Sequence, residues 1–154
     1  MSRTGIVLRL CVFSSLLTVV SAVTLASPVE PGWSASTSLC GTAEAHQARW
    51  QNAHRKLLGT WAQGNYERAA LVAGTMSGIA REALSDARSA PARTRSARAF
   101  RSRIVAVHAG QRSAAALFVD AMIAGGAGRM GAAGRAYAQA NITLLRAGFV
   151  GDYC

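Results

Sequence analysis

The sequence predicts an all-α protein: an antiparallel four-helix up-down bundle that follows an N-terminal signal segment and is closed by one disulfide. Three observations predict it. Apolar residues recur at three- and four-residue spacing over four stretches separated by turn residues. The 154 residues include 32 alanines and only three prolines, a usage that favours helix. Beyond the signal segment only Cys40 and Cys154 remain, one just before the first helical pattern and one at the last residue. A bond between them brings both ends within about 6 Å, which an even number of antiparallel helices does naturally.

The signal segment comes first. Residues 1–9 carry Arg3 and Arg9 and no acid, and residues 10–26 (LCVFSSLLTVVSAVTLA) are apolar or small and uncharged. Thr24-Leu25-Ala26 offers small residues for cleavage after Ala26, and Ala22 is a second possible site. The same stretch, residues 6–26, is also long enough to act as an uncleaved signal anchor. Either way the basic flank precedes it, so the following domain is expected outside the cytoplasm, secreted or held at the cell envelope. Neither Cys11 nor Cys40 is preceded by the small residue that lipidation requires. Loss of Cys11 with the leader leaves an even pair in an oxidising compartment, where a disulfide is the default; two free thiols or an intermolecular bond are the alternatives.

Residues 27–41 read as an extended linker and residues 42–154 as the helical domain. In the first helix, Thr42 is a candidate cap and Ala43, Trp50, Ala53, Leu57 and Trp61 form one stripe. Gly64-Asn65 reads as a turn, with Asn65 capping a second helix from Tyr66 to Arg88 whose face is Val72, Met76, Ile79, Ala83 and Ala87. Pro91 is expected to open the third helix, where Phe100, Ile104, Val107, Gln111, Ala114, Phe118 and Met122 repeat until Gly125-Gly126. The fourth, about residues 127–147, shows Met130, Ala133, Tyr137, Ala140, Asn141 and Leu144 before Gly148. The third pattern is the longest, so its arginine-rich beginning is expected to protrude or bend, beside the disulfide. Ala70, Gly74 and Gly78, and Gly128, Gly131 and Gly134, are spaced to let neighbouring helices approach closely.

Gly64-Asn65-Tyr66-Glu67-Arg68-Ala69-Ala70 resembles the turn and second-helix start of a tetratricopeptide repeat. The resemblance spans seven residues, the upstream repeat positions fall out of register, and no second copy follows at the repeat's period of about 34 residues, so no repeat array is expected.

The chain has a formal charge of +10, built from 16 arginines and Lys56 against seven acids. Such a balance favours anionic partners: cell-envelope polymers, lipid headgroups or nucleic acid. Its densest run is Arg88, Arg93, Arg95, Arg98, Arg101 and Arg103, and arginine pairs bidentately with phosphate and carboxylate. The last five are the expected contact surface for an anionic partner; a solvated helix face is the competing reading. Only Phe100 interleaves with them, which disfavours base stacking and sequence-specific nucleic-acid binding. A protein partner remains open.

Catalytic signals are weak. His46 and His54 lack the i,i+4 spacing of a helical metal site. Glu82 and Asp86 do form an i,i+4 carboxylate pair that, with His108 and Asp120, could line a pocket between helices two and three. Pairing with Arg81, Arg98 or Arg101 is the simpler expectation for both. The run Gly126-Ala127-Gly128-Arg129-Met130-Gly131 satisfies a dinucleotide pattern but follows no strand. Asn141-Ile142-Thr143 is a glycosylation sequon. No catalytic residue, cofactor or metal is therefore assigned. The expected function is a non-enzymatic exported protein that binds or structures an anionic partner at the envelope; a small secreted enzyme is the alternative.

Overall fold

The computed structural model describes residues 31–154, with side chains from residue 37 onward; the signal segment and residues 27–30 lie outside the described residues. The described chain is all-helical: α1 (Pro31–Ala62), α2 (Tyr66–Ser89), α3 (Arg95–Gly126) and α4 (Met130–Ala147), followed by a 3-10 turn at Val150–Asp152.

Local chemistry sets the boundaries. Gly64 has φ +71°, a left-handed conformation that lets the chain reverse after α1. Asn65 then caps α2, its side chain accepting from Arg68 N at 3.1 Å. Thr94 caps α3 in the same way, accepting from Ala97 N at 3.1 Å. The third helix accordingly starts at Arg95, and Pro91 lies in the turn before it.

The first helix differs most from expectation. It begins at Pro31, so residues 31–41, read as linker, are helical, Cys40 lies inside α1 and Thr42 caps nothing. Proline at the first helical position costs no hydrogen bond. The buried stripe also continues upstream as Leu39, Ala43, His46, Trp50, Ala53 and Leu57, at alternating four- and three-residue steps.

Helices adjacent in sequence contact one another in reversed residue order. His46 and Arg49 of α1 reach Asp86 and Glu82 of α2. Arg101 of α3 reaches Ala90 just past α2, while Tyr66 at the start of α2 lies against Gly125. Gly110 of α3 lies against Ala147 of α4, and Phe118 against Tyr137. An aromatic chain, Trp50 to His54 to Phe118 to Tyr137 to Trp61, carries α1 across α3 to α4, with successive ring centroids 4.2–5.4 Å apart.

The close approaches are made at Gly110 and Gly125, where a Cβ would overlap Ala147 and Tyr66 respectively. The glycines expected to serve this purpose do not. Gly74, Gly78, Gly128 and Gly134 have nothing within 4 Å of a Cβ position, and Gly131 has only the Arg135 guanidinium, at 3.6 Å. Spacing marks a face of the helix but not which face meets a neighbour.

The core is divided. One apolar cluster holds Trp50, Leu57, Met76, Ile79, Phe118, Met122 and Leu144. A smaller one at the disulfide end holds Leu39, Ala43, Ala87, Ile104, Val107 and Val150. Val150, fully buried, anchors the C-terminal turn, and Cys154 bonds to Cys40 with the α-carbons 5.7 Å apart. α1 and α3 are both 32 residues long, and the early turns of α3 do not stand free: Ile104 and Val107 are buried and Phe100 packs half-buried against the same cluster.

Candidate functional site

The boundary between the two apolar clusters is a buried polar layer. His46 and Gln47 on α1 face His108 and Gln111 on α3, all four buried. The Asp86 carboxylate accepts from His46 Nε2 at 2.8 Å. The Gln111 amide nitrogen donates to Gln47 Oε1, which turns Gln111 Oε1 toward His108 Nδ1 at 2.8 Å. That assigns the proton to Nδ1 of His108 and leaves Nε2 as an unprotonated acceptor. The His46 and His108 rings meet edge-on at 6.3 Å.

Among the described residues, buried polar side-chain atoms without a hydrogen-bond partner concentrate here: His46 Nδ1, Gln47 Nε2 and His108 Nε2 in the layer, with Trp50 Nε1 and His54 Nε2 following on α1. Burial pushes the pKa of His54 below the usual histidine value. It does the same to His108, opposed by the Gln111 hydrogen bond and reinforced by the nearby His46. The cation is therefore the disfavoured form at both positions.

The enzyme alternative required Glu82, Asp86, His108 and Asp120 to converge. Glu82 accepts from Arg49 at 2.9 Å and Asp86 is taken by His46, both across the α1 seam, while Asp120 is exposed on α3. His108 is sealed inside at 0 % exposure. These side chains share no concave, solvent-reachable site. The expected partners of the carboxylates, Arg81, Arg98 and Arg101, are not the ones they take. Among the described residues no group of three or more His, Cys, Asp or Glu side chains is placed to hold a metal ion. Asn141 of the sequon sits inside α4, its amide donating to Tyr137 O at 3.0 Å.

The five predicted arginines split by position. Arg93 lies in the turn before α3, and Arg95 opens the helix facing outward. Arg98 donates to Arg93 O at 3.0 Å and Arg101 to Ala90 O at 2.9 Å, folding both over the α2–α3 turn. Arg101 thereby places its charge at the carboxyl end of α2, where the helix dipole favours a cation. Arg103, on the opposite flank, sits 5.8 Å from the Tyr153 ring centroid, next to Cys154. None of the five pairs with a carboxylate among the described residues.

A second arginine cluster was not singled out from the sequence. Arg81, Ser85, Arg88 and Ser89 of α2 and Arg112 of α3 line a cleft of about 460 Å³ over Leu84. Positions 81, 85 and 88 recur at four and three residues and so share a flank of α2, a signal the sequence does contain.

No family model, curated protein or solved structure matches the chain. Its function has to be argued from these positions.

Proposed function

We propose that this chain is an exported up-down helical bundle that binds an anionic polymer or lipid headgroup at the cell envelope through Arg93, Arg95, Arg98, Arg101 and Arg103. One observation carries the reading: the five arginines from the α2–α3 turn into the first turns of α3 pair with no carboxylate among the described residues, although Glu82 and Asp86 pair elsewhere. Paired cations would point to a structural role, whereas unneutralised ones keep their charge for a partner. The arginines that bond backbone carbonyls each retain further N–H donors.

Export rests on the leader composition, and the Cys40–Cys154 disulfide is compatible with an extracytoplasmic location. No helix among the described residues is long and apolar enough to cross a membrane.

The test is binding to anionic vesicles and to a teichoic-type polymer at low and high ionic strength. Affinity should fall steeply with salt and fall again when the five arginines become glutamine. Binding that ignores salt, or survives the replacements, overturns the reading. Intact mass of secreted protein before and after alkylation tests the leader and the disulfide together.

A further inference from the structure

Charge on α2 is sorted by flank. Glu82 and Asp86 lie toward α1, where Arg49 and His46 neutralise them. Arg81 and Arg88 lie on the other flank, toward α3, and Arg112 meets them from that helix. Arg88 lies seven positions after Arg81, close to two full turns, so their α-carbons stand about 10 Å apart along the helix and the long side chains reach one cleft between them. None of the three has a hydrogen bond or an ion pair within the protein among the described residues.

The hydroxyls complete the lining. Ser85 has no side-chain hydrogen bond among the described residues, so its hydroxyl proton can turn into the cleft, while Ser89 donates its one proton to Asp86 O at 3.0 Å and brings only oxygen lone pairs. The base is the buried side chain of Leu84. Three permanent cations converging on one depression repel one another, an arrangement that costs free energy in the empty protein and is relieved by a bound anion.

We propose that this cleft is a binding site for a phosphoryl group. A carboxylate offers two oxygens and one charge, which a single guanidinium satisfies. A phosphoryl dianion presents acceptors in several directions and suits three guanidiniums and a hydroxyl arriving from two helices. The volume of about 460 Å³ falls in the range of small-molecule sites, roughly 300–1,000 Å³, so there is room for the moiety that carries the phosphate. The cleft shares no residue with the five arginines above, and it stands or falls separately from them.

The experiment is calorimetric titration of the full, disulfide-bonded domain with pyrophosphate at low ionic strength. Wild type is compared with Arg81→Gln/Arg88→Gln/Arg112→Gln and with an equal-charge control outside both arginine sets, Arg55→Gln/Arg68→Gln/Arg135→Gln. Saturable one-to-one binding is expected, weakened about tenfold or more in the first variant and by less than about threefold in the second. Equal losses in both, or no saturation in wild type, would overturn the proposal. All six positions are exposed, so both variants should fold, and circular dichroism confirms it.

Vesicles containing a phosphomonoester lipid identify the source of the phosphate. If it is a headgroup, vesicle binding requires the cleft arginines and competes with pyrophosphate. If it is a free phosphate compound, the cleft variant binds vesicles as wild type does while losing pyrophosphate.

Discussion

His46 of α1 donates from Nε2 to the Asp86 carboxylate of α2 at 2.8 Å, joining a nearly buried imidazole to a half-exposed acid. The carboxylate can only accept, so the contact fixes the proton on Nε2. Among the described residues it is the one hydrogen bond of the buried imidazole, since His46 Nδ1 has no partner there.

Removing that acceptor should therefore destabilise the fold. Asp86→Ala is expected to cost about 1–2 kcal/mol in urea denaturation, and Asp86→Asn less, because its amide oxygen still accepts. An unchanged midpoint for Asp86→Ala would show that solvent replaces the carboxylate at no cost.

Acid should weaken the fold through the buried histidines. Burial lowers the pKa of His54 and His108 in the folded chain below the ordinary 6.5. Between the folded and unfolded values the unfolded chain holds more protons, so stability rises with pH there. The contribution is complete above about pH 6.5 and is lost as pH falls toward the folded-state values. Denaturation midpoints should drop between pH 7.5 and 5, and His108→Asn should flatten the dependence. A midpoint independent of pH over that range would count against the desolvated-imidazole account.

Reduction should matter more than any single side chain. The Cys40–Cys154 bond spans a sequence separation of 114 residues, which the chain-entropy relation converts to about 5 kcal/mol. A Cys40→Ser/Cys154→Ser variant is expected to lose several kcal/mol in urea denaturation. A loss below about 1 kcal/mol would mean that the apolar cluster around Val150 holds the C-terminus unaided.

Glycine replacements should divide by sign. Gly110→Ala places a methyl against the Ala147 Cβ, which the α4 backbone holds in place, and should destabilise by about 1–3 kcal/mol despite better helix propensity. Ala147→Gly in the same chain should recover much of that loss. Gly74→Ala, where nothing lies within 4 Å, should stabilise by about 0.5–1 kcal/mol. The comparison of thermal midpoints is direct, and a stabilising Gly110→Ala would mean that α3 and α4 move apart without penalty.

Much of the architecture was legible. Four helical patterns, the Asn65 cap and the pairing of Cys40 with Cys154 follow from periodicity, turn chemistry and cysteine number. The start of α1 was not, because Gly41 and the serine- and threonine-rich residues before it mask a stripe that only Leu39 continues. The polar layer was half visible: Gln111 falls on the apolar stripe of α3, yet nothing local names Gln47 as its partner, 64 residues away.

By itself, then, the sequence determined what depends on near neighbours along the chain: which segments are helical, where most of them stop, and how much uncompensated positive charge they carry. The tertiary structure alone decided which flank of each helix meets another. It gave Glu82 and Asp86 to α1, left Arg81 and Arg88 facing Arg112, and chose Gly110 over Gly74 as the place of close approach. The physical reason is range. Helix propensity and capping act within a turn, whereas neutralisation and contact depend on the rotation of one helix about its axis relative to another, which periodicity leaves free over most of its polar face.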